Sequence, residues 1–300
     1  MTLSYEERQP SERLAAVVEC VWRLQSDDRA RQAPHRVLPD GCVELILQRG
    51  SRVVEQRPDQ APRLQPRVHV TGQLDRYLLL AARGLIDTLG VRFRPGAARA
   101  LLRVPDGELS GRTLGAGEIL GDSGRRELEN AAGATEPLAA VLRVCEGQLD
   151  ERLRPERRLR AAVDLVLATA GRLRVDRLAD HLGLGPRTLE RLFSRDIGLR
   201  PKQLSRIARL EAALLALSRN AHHSLADLAY ACGYSDQAHL SREFRTLTGL
   251  TPTDWLRGSH PFARQFAAAD RLDRMLSGGT EPAANRAFAA AAEPCNGESV

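Results

Sequence analysis

The 300-residue sequence has no apolar run of transmembrane length. Its longest candidates, such as Leu78–Ala82, fall far short of the roughly 20 residues a membrane helix needs. A secretory leader is not expected either, because the first residues carry Glu6, Glu7 and Glu12 and contain no apolar core segment. Cysteine is sparse and scattered: Cys20, Cys42, Cys145, Cys232 and Cys295 never form a C-x-x-C pair. That excludes a disulfide framework and a local zinc site, and it fits reduced thiols in a cytoplasm. Lysine is almost missing, with Lys202 alone among 44 basic residues. Arginine suits phosphate and guanine recognition, but genome composition also produces so uniform a bias, and little rests on it. No nucleophile elbow, phosphate loop or recognisably spaced pair of catalytic carboxylates occurs. The chain is therefore expected to be no enzyme and to hold neither cofactor nor metal.

What is present is ordinary globular material: 43% hydrophobic and 27% charged residues. Such a chain buries a sizeable core, which excludes whole-chain disorder, and its length suggests about two domains. The net charge of +6 is unevenly placed. Residues 1–150 hold 21 basic and 21 acidic side chains, whereas residues 151–260 hold 19 against 12. A basic block beside a neutral one is the electrostatic footprint of a nucleic-acid-binding module joined to a partner domain.

The neutral half reads as short strands broken by turns. Val43–Leu47 follows the turn Pro39-Asp40-Gly41, and Val68–Val70 and Leu89–Phe93 are similar. Pro95 to Arg103 reads as a helix with Ala97, Ala98, Leu101 and Leu102 on one side, and Pro137 to Leu149 as another. Without long alternating helices, a small barrel or curved antiparallel sheet is favoured over a parallel one. After the charged stretch 151–158, a plausible linker, the pattern becomes helical. Leu159, Val163, Val166 and Leu167 form one stripe at i, i+4, i+7 and i+8. Beyond Gly258 the sequence is Ala-rich, with a helix expected near Phe262–Leu276.

Two segments of the basic block share a plan. Val175–Gly183, Leu184-Gly185 and Pro186–Asp196 predict helix, turn and helix; so do Leu225–Gly233, Tyr234-Ser235 and Asp236–Thr248. Each first helix carries Leu-Ala (Leu178-Ala179, Leu228-Ala229), and Gly183 and Gly233 suit the left-handed position after a helix. Pro186 fits the first helical position, Ser235 an N-cap, and Ser224 the cap of the helix before it. Leu189, Leu192 and Phe193 face the core in one unit; Leu240, Phe244 and Leu247 do so in the other. This is helix-turn-helix organisation twice.

Residues 225–257, LADLAYACGYSDQAHLSREFRTLTGLTPTDWLR, resemble the signature region of the AraC-type transcriptional regulators. The first unit, LADHLGLGPRTLERLFSRDIGLRPKQL, resembles the first helix-turn-helix of the same family, so the likeness covers roughly 158–257. It implies a central helix, Pro201 to Leu217, holding two recognition helices in successive major grooves about 34 Å apart. Carried over by position, Arg187, Glu190 and Arg191 would face base edges from the first recognition helix, and Gln237, Ala238 and Arg242 from the second. Thr188, Arg195, His239, Ser241 and Arg245 would serve as phosphate or flanking contacts. Gly185 stands where the family commonly has a capping Ser, leaving the first recognition helix less firmly fixed. Leu38-Pro-Asp-Gly-Cys42 and Gly90-Val-Arg-Phe-Arg-Pro-Gly-Ala97 resemble the N-terminal domain of a subset of these regulators, a cupin-like β fold used for sensing or dimerisation.

The fold class expected is thus α+β. A mixed α/β domain, barrel-like or cupin-like, spans 1–150; an all-α domain with two helix-turn-helix units spans 151–258; a partly disordered tail spans 259–300. The partners implied are double-stranded operator DNA, a small-molecule effector, a second copy of the chain, and RNA polymerase if the protein activates, with no membrane. The place implied is a bacterial cytoplasm, on the nucleoid when bound. Four other readings are weaker. His222-His223 cannot easily share a tetrahedral metal. Cys42, beside Asp40 and Glu44, reads as a buried small hydrophobe. His35 and His69 lack the H-x-H with a following Glu of a cupin metal site. Alkyl-transfer proteins with AraC-type helices use a P-C-H-R motif, which this chain lacks.

Overall fold

The computed structural model describes residues 3–26, 34–82, 84–219 and 223–258. The Ala-rich segment from 259, the helix expected within it, Cys295 and His222 lie outside them.

The first half contains two sheets whose pairings are antiparallel throughout the described residues. The larger is built from β1 (Leu3–Arg8), β2 (Val18–Ser26), β4 (Glu44–Gln48), β7 (Val68–Thr71), β9 (Asp87–Phe93) and β10 (Thr113–Gly115). Its spatial order is β1-β2-β9-β4-β7-β10. The smaller combines β3 (His35–Val37), β5 (Val53–Gln56), β6 (Arg63–Leu64) and β8 (Leu78–Ala82) in the order β3-β8-β5-β6. Side chains alternate across the larger sheet. Leu45 and Leu47 on β4, with Val91 and Phe93 on β9, face a core closed by α3 (Ala116–Ala132) and α4 (Pro137–Gln148). Ile46, Trp22 and Leu24 point the other way, against Val53 and Ala82 of the smaller sheet.

Two helices differ from the sequence expectation. The helix expected over Pro95–Arg103 is only α1 (Arg99–Leu102), followed by α2 (Asp106–Leu109), because Gly96 takes a left-handed conformation with φ of 77° ahead of it and Arg103, with φ of 59°, ends it. Ala97, Ala98, Leu101 and Leu102 are nonetheless all buried. The long helix α3 is not expected from the sequence: Gly117, Gly121 and Gly124 break its pattern, and Gly121 is a non-helical kink within it.

The second half is helical. After a 3-10 turn (Glu151–Leu153) come α5 (Arg157–Ala168), α6 (Val175–Leu182), α7 (Pro186–Asp196), α8 (Pro201–Ser218), α9 (Leu225–Ala231), α10 (Gln237–Thr248) and α11 (Pro252–Arg257). The expected stripe Leu159, Val163, Val166 and Leu167 is buried against α6 and α8. One side of this core uses Leu204, Ile207 and Ala208 from the start of α8. The end of α8 (Leu210, Leu214, Leu217) completes a second core with α9 and α10. A single helix thus serves two small cores. The halves also touch: Leu38 joins the second core, and Ser110 Oγ donates to the Gly198 carbonyl at 2.7 Å. The stretch expected as a linker is tied down as well, with Arg154 Nη2 donating to the Arg13 carbonyl at 2.8 Å. Among the described residues no helix is long and apolar enough to cross a membrane.

Candidate nucleic-acid interface

The two helix-turn-helix units close their turns alike. Leu184 N donates to the Ala179 carbonyl at 3.0 Å, and Tyr234 N to the Ala229 carbonyl at 2.9 Å. Gly183 (φ 62°) and Gly233 (φ 76°) supply the left-handed residue this reversal needs. The second turn is one residue longer. Hence Leu189 and Phe193 correspond to Leu240 and Phe244, and Arg191 corresponds to Arg242. Both pairs of apolar anchors are fully buried, while Leu192 is half-buried at the edge of its core.

The N-cap of α10 is Asp236, one residue after the Ser235 expected from the sequence. Asp236 Oδ1 accepts from His239 N at 2.6 Å, and Ser235 Oγ donates to Asp236 Oδ2 at 3.1 Å. A carboxylate is a charge-assisted acceptor and also matches the positive end of the helix dipole, which favours it over the hydroxyl. The bond from His239 N holds the Asp236 carboxyl below its usual range. Helix α7 starts at Gly185 with no side-chain cap. Ser224 caps α9 as expected, accepting from Asp227 N at 3.1 Å.

Arg187, Glu190, Arg191, Gln237, Ala238, Arg242 and Arg245 are exposed; Thr188 and Ser241 are half-buried. No described residue forms a hydrogen bond or ion pair with the guanidinium groups of Arg187, Arg191, Arg242 or Arg245. Arg195, also exposed, lies bidentate on Asp196, at 2.8 and 2.6 Å. His239 turns back into its own unit: Nδ1 lies 3.1 Å from Ser235 Oγ, and the ring meets Tyr234 edge-on at 5.3 Å. Helix α8 is held to the second unit by the ion pair of Arg206 with Glu243 and by Arg209, 5.5 Å over the Tyr234 ring. One exposed aromatic beside this surface carries no sequence signal: Tyr230, 87% exposed at the end of α9.

A second feature is a cavity of about 80 Å³ between the two sheets, with mainly apolar walls that include Trp22, Ile46, Leu78 and Leu80. Gly90 makes room for the indole: a Cβ there would lie 2.2 Å from the Trp22 ring. Glu44 Oε1 accepts from Trp22 Nε1 at 3.1 Å and from Arg92 Nε at 3.0 Å. Burial pushes the Glu44 carboxyl up, with Arg92 opposing. At the far end, Gln48 donates to Gln65, which donates to Glu55. Burial alone would raise Glu55, but hydrogen bonds from Gln65, Arg63 and Thr113 outweigh it and hold the carboxyl low. His35 and His69 line this one cavity, yet among the described residues no three His, Cys, Asp or Glu are grouped to hold a metal ion. Cys42 is buried, its Sγ directed at the Asp40 carbonyl.

Comparison with known proteins finds a helix-turn-helix domain over residues 178–258 and a domain of unknown function (DUF6597) over residues 6–115. The HTH-type transcriptional activator RhaS of Escherichia coli is 36% identical over 88 residues, 29% of this chain and 31% of that protein. The match therefore spans under a third of the relative's length. A transcriptional regulator with an AraC-type DNA-binding domain from Chromobacterium violaceum is 31% identical, with a TM-score of 0.31, over 33% of this chain and 89% of that one. ToxT from Vibrio cholerae is 10% identical, with a TM-score of 0.43, over 85% of this chain and 97% of that one. Residues 178–258 are thus a helix-turn-helix DNA-binding domain of the AraC type, and residues 6–115 a DUF6597 domain.

Proposed function

We propose that the whole chain is a sequence-specific transcriptional regulator. Residues 151–258 read operator DNA, and residues 1–150 form the regulatory unit. The observation that carries this reading is the equivalence of Arg191 and Arg242: two exposed arginines with no ion pair to a described residue, at matching positions on helices joined by one rod. Helix α8, with 18 residues, is about 27 Å long, close to the ~34 Å between successive major grooves on one DNA face. Arg191 and Arg242 bind guanine bidentately, Gln237 pairs with adenine, and Glu190 accepts from cytosine. Arg187 and Ala238 approach neighbouring base edges. Thr188, Arg195, His239, Ser241 and Arg245 contact phosphates on either side. The cavity between the sheets takes a small-molecule effector, since a concave apolar site with few polar groups is the usual form of such a site. A second copy of the chain adds avidity on a repeated operator, and RNA polymerase is a partner if binding activates, as the relative's designation as an activator suggests. The protein acts in the cytoplasm, on the nucleoid when bound, and no catalytic role is assigned to it.

The test is recovery of DNA fragments bound by the full-length protein, followed by mobility shifts across a salt series. A shared motif with two segments one helical turn apart is expected, with a log–log salt slope equivalent to roughly four to eight phosphates. Fragments without a common motif, or a flat salt dependence, would contradict the reading.

A further inference from the structure

The cavity between the sheets is specific about charge and hydrogen-bond direction, and the sharper inference concerns what it admits. His69 is 1% exposed, and its Nδ1 lies 2.8 Å from the Pro66 carbonyl oxygen. A carbonyl only accepts, so Nδ1 carries the proton. Burial depresses the ring to about 4, so at neutral pH the imidazole is uncharged. Its Nε2 is then a bare lone pair, and no described residue donates to it. Antiparallel pairing sets Ile46 opposite His69 and Glu44 opposite Thr71, which makes Glu44 the diagonal neighbour of His69 on the same face.

No Lys or Arg is among the described residues lining the cavity. Two described cations act beside it: Arg63, whose charge reaches His69, is paired with Glu55, and Arg92 is paired with Glu44. Arg92 is matched at 3.0 Å by Glu44 and at 3.6 Å by Asp40, so its charge is already met. An entering carboxylate or phosphate would find no cation to receive it, and it would face the Glu44 carboxyl. The space of about 80 Å³, at ~10–15 Å³ for each water-sized group, holds about five to eight such groups: one ring with at most two small substituents.

From this geometry we infer that the cavity binds a single-ring aromatic molecule bearing a hydroxyl or amino donor, which is directed at His69 Nε2, and that it rejects carboxylates of the same size. The inference rests on the effector reading of the first half and adds the chemical class.

The chain has two tryptophans, Trp22 in the cavity wall and Trp255 in α11. In the full-length Trp255→Phe protein, emission therefore reports the cavity alone. Titration with 4-methylphenol and with 4-methylaniline, both uncharged at neutral pH, should give saturable changes in Trp22 emission, and benzoate should bind at least tenfold more weakly. Two substitutions test the role of Nε2. His69→Asn keeps a donor for the Pro66 carbonyl but ends short of the Nε2 position, and should lose at least tenfold for 4-methylphenol while retaining toluene. His69→Gln brings an amide oxygen near that position and should recover most of the affinity. Retained toluene binding shows that the cavity of each variant is intact. Equal affinity for benzoate and 4-methylphenol, unchanged affinity in His69→Asn, or no saturable change with any probe would overturn the inference. The two readings separate in a mobility shift. Operator binding without any cavity ligand refutes only the ligand class. A cavity ligand that leaves operator affinity unchanged refutes only the effector role.

Discussion

The two helix-turn-helix units share a plan and differ in what holds them. In the second, side chains cap three helices in a row: Ser224 on α9, Asp236 on α10 and Thr251 on α11. In the first, neither α6 nor α7 has a side-chain cap, and α7 begins at Gly185. The first unit is braced from outside instead. Helix α2 packs so closely on α7 that a Cβ at Gly107 would lie 2.3 Å from the Ser194 carbonyl oxygen, and Ser110 holds the Gly198 carbonyl. The second unit meets the first half too, through Leu38 and Tyr77, but its recognition helix also carries a cap of its own, which α7 lacks.

The comparison breaks most visibly in the cores. Phe193→Ala and Phe244→Ala remove fully buried rings at equivalent positions, each expected to cost about 3–5 kcal/mol in denaturant unfolding. Because the cores share α8, either loss should loosen both units; a loss confined to one unit by hydrogen exchange would mean that α8 does not couple them. At the caps the units should diverge. Asp236→Ala should cost about 0.5–2 kcal/mol, whereas Gly185→Ser should gain a few tenths of a kcal/mol. Gly185 has an extended backbone, and no atom lies near a Cβ placed there. A gain from Gly185→Ser as large as the loss from Asp236→Ala would mean that α7 lacks the outside brace.

That brace should depend on pH through Asp106 of α2. Burial raises its carboxyl to about 8, against hydrogen bonds from Arg99 N and Ala98 N, and Asp196 of α7 adds to the rise. Between the ordinary carboxyl range near 3.8 and about 8, the folded chain keeps a proton that the unfolded chain has released. Stability contributed by this group is therefore full at the acid end and falls as pH rises through that window. Asp106→Asn should flatten the decline between pH 6 and 8.5 in thermal unfolding; an unchanged slope would take Asp106 out of the brace.

The helical half is legible in sequence because its signals are local: an apolar period near 3.6, a glycine at a fixed offset and paired anchors such as Leu189 and Phe193. The slip of Ser235 for Asp236 arises because adjacent residues both suit a cap. The β half is harder to read. Strand β2 is buried on both faces along most of its length, so it lacks the alternation that marks a strand, and β3 and β6 span only three and two residues. Apart from His35 and His69, singled out as a pair, the cavity leaves little trace in the sequence, since Trp22, Glu44 and His69 come from three strands that meet only through long-range pairing.

Footprinting with the two arginine variants addresses the two-headed reading most directly. Arg191→Ala and Arg242→Ala should each weaken specific binding by about 1–3 kcal/mol. Each should lose protection over a different segment, with the segments about one helical turn apart. Loss of the same bases in both variants, or of none in either, would contradict a reader with two separate heads.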